Sequence, residues 1–285
     1  MDFLQIRRLV VIAMFSDDDL FERFALKGGN ALELVHRVMS RGSLDIDLAM
    51  QEDFENLGDT EERIFRALDD RFDSAGFLVF DKRFGPRPRT LGPHKPATWG
   101  GYLVEFKLIA KHHAEKLRHD TSRMRREAHT LGPAHQRVFR VEISKYEACA
   151  AKAEAELDGY TIYVYTPAMC VLEKLRAICQ QMDEYEPTKG TRRARARDFY
   201  DIHATMERLG LDLSSRESHA LCRDIFAAKD VPLALIRKIA GVREFHRPDW
   251  DLVRATVPTE PREFDYYFDY VVKIVLPQLK ALWEE

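Results

Sequence analysis

Between residues 30 and 49 the apolar side chains change their spacing. Ala31, Leu34, Val35 and Val38 recur at helical intervals. Leu44, Ile46 and Leu48 then alternate with Asp45 and Asp47. The first spacing draws a stripe on a helix, and the second separates the two faces of a strand over residues 43–49. The aliphatic face of that strand must be buried. This demands a sheet with helices packed on it, so the chain cannot be an all-helical bundle.

The rest of the chain divides in two. Helical periodicity covers residues 3–23 and 60–75. Strand-like runs follow near 77–82, 102–109, 138–144 and 160–165, separated by turn-rich pieces such as Gly85-Pro86-Arg87-Pro88. Beyond Thr166-Pro167, an N-cap followed by a proline suited to the first helical turn, the pattern is helical to the end. Ser214 with Glu217 reads as a further capping box. The last helix, over 262–282, places Phe264, Phe268, Val271, Val275, Leu279 and Leu282 on one face, with a kink expected at Pro277. The expected class is α+β: a mixed-sheet α/β domain over 1–165 and a helical domain over 166–285. With 285 residues, 45% of them hydrophobic, the chain can bury a full core.

Several function classes recede. The net charge is −3, so no global basic field announces nucleic acid. Cys149, Cys170, Cys179 and Cys222 form no CxxC pair and no cluster with histidines, which points to reduced thiols in a cytoplasmic protein. The apolar run Leu9–Phe15 is too short for a signal or membrane segment, and acidic Asp17-Asp18-Asp19 follows it. No membrane association is expected.

Two features carry chemistry. Lys27-Gly28-Gly29-Asn30 opens a helix, where glycines let the backbone approach a ligand and free N–H groups attract anions. Asn30 suits the N-cap position. The turn is a candidate triphosphate cradle, although such turns also occur as ordinary caps. Asp45 and Asp47 leave one strand face ~6–7 Å apart. Carboxylates that close repel unless a cation lies between them, and hard oxygen ligands suit magnesium. The alternative is a half-exposed edge strand with solvated acids. Together, a phosphate turn, one helix and a DxD strand give the layout that a two-metal in-line displacement needs.

The pattern LKGGNAL…RGSLDIDL resembles motif I of the DNA polymerase β-like nucleotidyltransferases. It is most similar to the AbiEii/AbiGii toxin family, whose usual form is LKGG(T/S)AL followed by RxSxDIDL. Asn30 stands here where Ser or Thr is usual. The resemblance implies a polymerase-β-like mixed sheet with flanking helices, followed by a helical bundle. It also implies an NTP co-substrate and a two-metal magnesium site on Asp45, Asp47 and a third acid. Gly28, Gly29, Asn30, Arg41 and Ser43 would contact the nucleotide.

The third acid is Glu142 in Phe139–Ser144, which matches a VEIS-like strand of the family. Glu105 competes with it, but shares a strand face with Lys107 and could pair with it. Lys174 matches the lysine of the family's EKL helix that reaches the nucleotide phosphates; without the resemblance it would read as a snorkelling surface lysine. Asp198 and Asp201 match the family's RDxxDL segment and share one helix face. Either could be the functional acid, or could orient Lys174. Arg197 and its neighbours could hold the triphosphate.

Two basic runs, Lys111 to Arg140 and Lys189 to Arg197, flank these candidates. Such runs are either solvated helix faces or contacts for a phosphate backbone. The resemblance implies a toxin of a type IV-like toxin–antitoxin or phage-defence system. It would transfer an NMP to RNA, at the 3′ end of tRNA, block translation by that tRNA modification, and be silenced by a cognate antitoxin. Two other readings stay open. One is a nucleotidyltransferase acting on an aminoglycoside-like small molecule or a protein. The other is a non-catalytic regulatory module on the same fold.

Overall fold

The computed structural model describes residues 1–38, 45–92, 95–96, 98–130, 135–257 and 260–284. Its strands are β1 (Ala25–Lys27), β2 (Ile46–Ala49), β3 (Phe77–Arg87), β4 (Gly101–Ala110), β5 (Phe139–Ser144), β6 (Ala153–Leu157) and β7 (Tyr160–Val164). They form one mixed sheet in the order β3-β4-β5-β2-β1-β7-β6. The DxD strand β2 lies at the centre, antiparallel to β1 and parallel to β5. The edge-strand alternative is therefore excluded. Ile46 and Leu48 face the core, and pairing on both sides locks their register.

β3 runs through Gly85 and Pro86, where a turn was expected; they pair with Leu103 and Tyr102. β3 is an edge strand, so the proline leaves no ladder bond unmade. β6 was not expected, because Ala153-Glu154-Ala155-Glu156 is a poor strand former. The signal lay in the next two residues. Asp158 and Gly159 both have positive φ, the conformation of a tight hairpin turn, and join β6 to β7.

Residues 3–23 form two helices rather than one, Phe3–Met14 and Asp18–Arg23. Asp17 starts the second by accepting from the Asp19 and Leu20 amides. Thr166 caps the Pro167–Cys179 helix by accepting from Met169 N at 3.3 Å. Ser215, not Ser214, caps Arg216–Ala227. The C-terminal helix widens into a π turn at Val271–Val275 just before Pro277, whose ring leaves no N–H for the ladder.

All strands precede residue 165, and the elements from Pro167 onward are helical. One hydrophobic core nevertheless spans both regions: Phe24, Phe106 and Val141 belong to the same buried cluster as Leu172, Phe199 and Phe268. Among the described residues, no helix is long and apolar enough to cross a membrane. The four cysteines are free and buried.

Candidate active site

β1 ends at Lys27, whose register partner on β2 is Asp47. Asp47 in turn lies opposite Glu142 of β5. One row thus crosses three neighbouring strands: Lys27, Asp47, Glu142. Gly28 follows Lys27 with φ +66°, and a β-carbon on it would lie 2.7 Å from Asp47 Oδ2. Glycine is required there twice over, by its backbone angle and by the carboxylate against it. Gly29 continues the same helical turn.

Burial pushes the Asp47 carboxyl up; Lys27 opposes this, while Glu142, Glu173 and Asp45 reinforce it, leaving the group at about 7. Lys27 offsets this only in part, because its ammonium is also shared with Glu173 at 2.6 Å and Glu147 at 3.5 Å. Glu142 is paired with Arg87 of β3 at 2.6 Å. Among the described residues, no three His, Cys, Asp or Glu side chains converge as a preformed cation site. Glu105, the competing third acid, faces Arg140 across β4 and β5 and pairs with it at 3.1 Å. It does not pair with Lys107, which is bonded to Asp81 at 2.8 Å.

Asn30 does not cap the helix. It is fully buried, and its side chain bridges two elements. Its amide Nδ2 donates to the Asp45 carbonyl at 2.7 Å, and its Oδ1 accepts from Arg7 at 3.0 Å. Arg7, buried on the first helix, also holds Glu33 at 2.6 Å. Asn30 therefore ties the start of the DxD strand to the N-terminal helix. Arg41 and Ser43 lie outside the described residues.

Lys174, Asp198 and Asp201 come together in a second cluster. Lys174 Nζ lies 3.1 Å from Asp198 and 2.7 Å from Asp201, so it is not a snorkelling surface residue. Asp198 also accepts from Arg195. Burial alone would raise Asp198, but Arg195 and Lys174 hold it down at about 2. Arg197 lines a cavity of about 310 Å³ together with Arg195 and Asp198 of this cluster and with Asp249 and Leu252.

Between the two clusters lies an ion network that sequence patterns did not reveal. Glu147, beyond β5, meets Arg176 at 3.0 Å, Lys27 at 3.5 Å and Lys229 at 3.6 Å. Burial would push Glu147 up, but these three cations bring it to about 2. Glu173 binds Lys27 and also Arg176 at 3.4 Å. One signal was available: Glu173 and Arg176 are three apart on one helix face. Glu147 and Lys229 sit in irregular segments with no period to mark them.

Next to Glu142 opens a cavity of about 540 Å³, with Arg87, Lys95, Arg176, Arg193 and Lys229 on its walls against Glu142 and Glu147. The second basic run thus reaches the site through Arg193. The first run largely does not. Its helices Lys111–Lys116 and Thr121–Glu127 follow the far end of β4, roughly 30 Å along the strand from Gly101. Arg125 there pairs with Asp81 and His113 with Glu127.

The curated proteins contain no significant match to the chain. Among solved structures, JHP933 from Helicobacter pylori aligns at TM-score 0.50 and 14% identity, covering 99% of this chain and 92% of that one. A second H. pylori structure, described as a candidate nucleotidyltransferase, aligns at TM-score 0.50 and 15% identity over 99% and 95%. Likeness at such identities shows a shared fold. The model of the nucleotidyl transferase AbiEii toxins of type IV toxin–antitoxin systems matches residues 10–272. That span contains the glycine turn, the DxD strand, Glu142 and the Lys174 cluster, and the chain belongs to the AbiEii nucleotidyltransferase toxin family.

Proposed function

We propose that this toxin transfers an NMP from an NTP to an RNA acceptor, at the 3′ end of tRNA, in a magnesium-dependent reaction that blocks translation in the cytoplasm until a cognate antitoxin silences it. What carries this reading is the register of β2 and β5, which sets Asp47 opposite Glu142 at the edge of a strongly basic cavity. A polyanion fits such walls, whereas a polycationic aminoglycoside would be repelled by them.

The donor set fits a hard divalent cation. Asp45, Asp47 and Glu142 offer oxygen ligands only, and Asp47 is held near 7 by burial and by neighbouring acids that a cation would relieve. These three residues would hold magnesium. The chemistry that bound magnesium supplies is charge neutralisation on the phosphates and acidification of the attacking hydroxyl.

The chain's own groups do the rest. The N–H groups of the Gly28 turn receive phosphate oxygens. Glu142, once its bond to Arg87 is released, would complete the cation site beside the acceptor hydroxyl or serve as that hydroxyl's general base. Asn30 acts by fixing the Asp45 backbone. Lys174, held by both Asp198 and Asp201, would turn its ammonium to the leaving pyrophosphate once one of those bonds is given up.

The test is incubation of the protein with total RNA, magnesium and each labelled NTP in turn. Label on tRNA-sized RNA, absent for Asp45→Ala, is expected. Label on small molecules or protein alone would favour the other acceptor classes. Label nowhere would favour a non-catalytic module.

A further inference from the structure

The cavity beside Glu142 has two aromatic residues among its cations, Tyr102, which is buried, and Trp99, which is half-buried. Its position across the sheet is telling. The glycine turn follows β1, Asp47 lies on β2, Glu142 on β5, and β4 and β3 come next. The strand residues lining the cavity come from β3, β4 and β5, including Arg87, Tyr102 and Glu142. The glycine turn and the cavity thus lie on opposite sides of Asp47, about 10 Å apart by strand spacing. A donor triphosphate on the turn leaves the cavity for a second substrate.

We infer that this cavity seats the last nucleotide of a single-stranded RNA acceptor, with its base stacked on Trp99 and its phosphates met by Lys95 and Arg193. The inference rests on the RNA-acceptor reading above and adds where that acceptor binds. Trp99 is half-buried, and the Lys95 ammonium lies 4.9 Å from its ring centroid. The ammonium lies over the indole, so a base stacking on that electron-rich face would displace it toward the nucleotide's own phosphate. Its ring is 6.1 Å from that of Tyr185, and the buried Tyr185 hydroxyl donates to the Lys229 carbonyl at 2.7 Å. The platform is thereby braced to the segment that carries one of the cavity's cations. A flat aromatic surface in a basic groove accepts any base by stacking and holds the backbone by charge, which is how single strands are bound without sequence readout.

The test uses the full chain and a ten-nucleotide single-stranded RNA with a 3′ hydroxyl, beside the same RNA with an abasic 3′ residue. Trp99→Ala is expected to raise the RNA KM about tenfold. The NTP KM, and kcat at saturating RNA, should not move, and Trp99→Phe should restore most of the affinity. The abasic end should weaken binding to the wild type but cause no further loss in Trp99→Ala. Lys95→Ala, a change in a surface loop, should weaken RNA binding and flatten its salt dependence by about one charge. An unchanged RNA KM in both variants overturns the inference, as does a rise in NTP KM instead, which would put the donor in this cavity. Wild type that labels no RNA brings down the RNA-acceptor reading and this inference together. RNA labelling that is indifferent to Trp99 and Lys95 brings down this inference alone.

Discussion

Gly28 and Asp47 are so close that no side chain fits between them: a β-carbon on Gly28 would lie 2.7 Å from the Asp47 carboxylate. Gly28→Ala meets two penalties, a left-handed backbone angle and a displaced acid. The expected loss of stability is about 1–2 kcal/mol, read by urea denaturation. Nucleotide transfer should fall at least ~100-fold, because a shift of about an ångström at a reacting group has that effect. Wild-type activity in a folded Gly28→Ala protein would detach this turn from the chemistry.

Asp47 illustrates a conflict between stability and function. Its carboxyl is raised to about 7 by burial and by neighbouring acids. Its native form therefore binds more protons than the unfolded chain above pH 4, and stability should decline as pH climbs toward 7. Asp47→Asn removes the charge while keeping the shape. Without divalent cation at pH 8 it should be more stable than wild type by about 1–3 kcal/mol, and inactive. Magnesium should stabilise only the wild type, and more at pH 8 than at pH 6. Thermal melts with and without magnesium at both pH values check this; equal shifts for both proteins would contradict it.

Glu147 behaves in the opposite sense. Arg176, Lys27 and Lys229 depress its carboxyl to about 2 against the cost of burial. Its contribution is present above the unfolded carboxylate range near 4 and disappears as pH falls through about 2. Glu147→Gln leaves buried cations uncompensated, and about 3–5 kcal/mol should be lost at pH 7. The deficit should shrink in acid, which denaturation curves at pH 7 and pH 3 would reveal.

The Lys174 cluster separates structure from chemistry. Lys174→Gln leaves Asp201, which is fully buried, without the ammonium 2.7 Å away. A loss of about 2–4 kcal/mol is expected. Adding Asp201→Asn should recover much of the stability, because the buried charge goes with it. Activity should not return, since the cation is still missing. A double variant that regains activity would make Lys174 a structural residue.

Local signals made part of the site readable. Asp45 and Asp47 announced themselves because a period of two is visible within five residues. The same alternation put Glu142 on a polar strand face, but preferring it to Glu105 leaned on the family resemblance; Thr166-Pro167 marked its helix start by local hydrogen bonding alone. Asn30 was misread because a capping rule considers only neighbours along the chain, whereas Arg7 and the Asp45 carbonyl claim its side chain. β6 was missed because propensity was weighed above the Asp158-Gly159 turn. Glu147, Arg176 and Lys229 form a network only after folding, and no spacing rule connects residues so distant in sequence. Lys174 was expected to reach phosphates, with Asp198 or Asp201 as one candidate to orient it; that both aspartates hold it follows from the packing of its helix against the next.

The ion network around Glu147 also gives the chain a clock. Its members are residues 27, 147, 173, 176 and 229, so it closes only after the last quarter of the chain has begun to appear. A ribosome making this protein exposes the acids of the sheet well before the lysine that completes their support. Chains fold from the N-terminus as they emerge. The support beneath those acids is therefore unfinished through most of the chain's own synthesis.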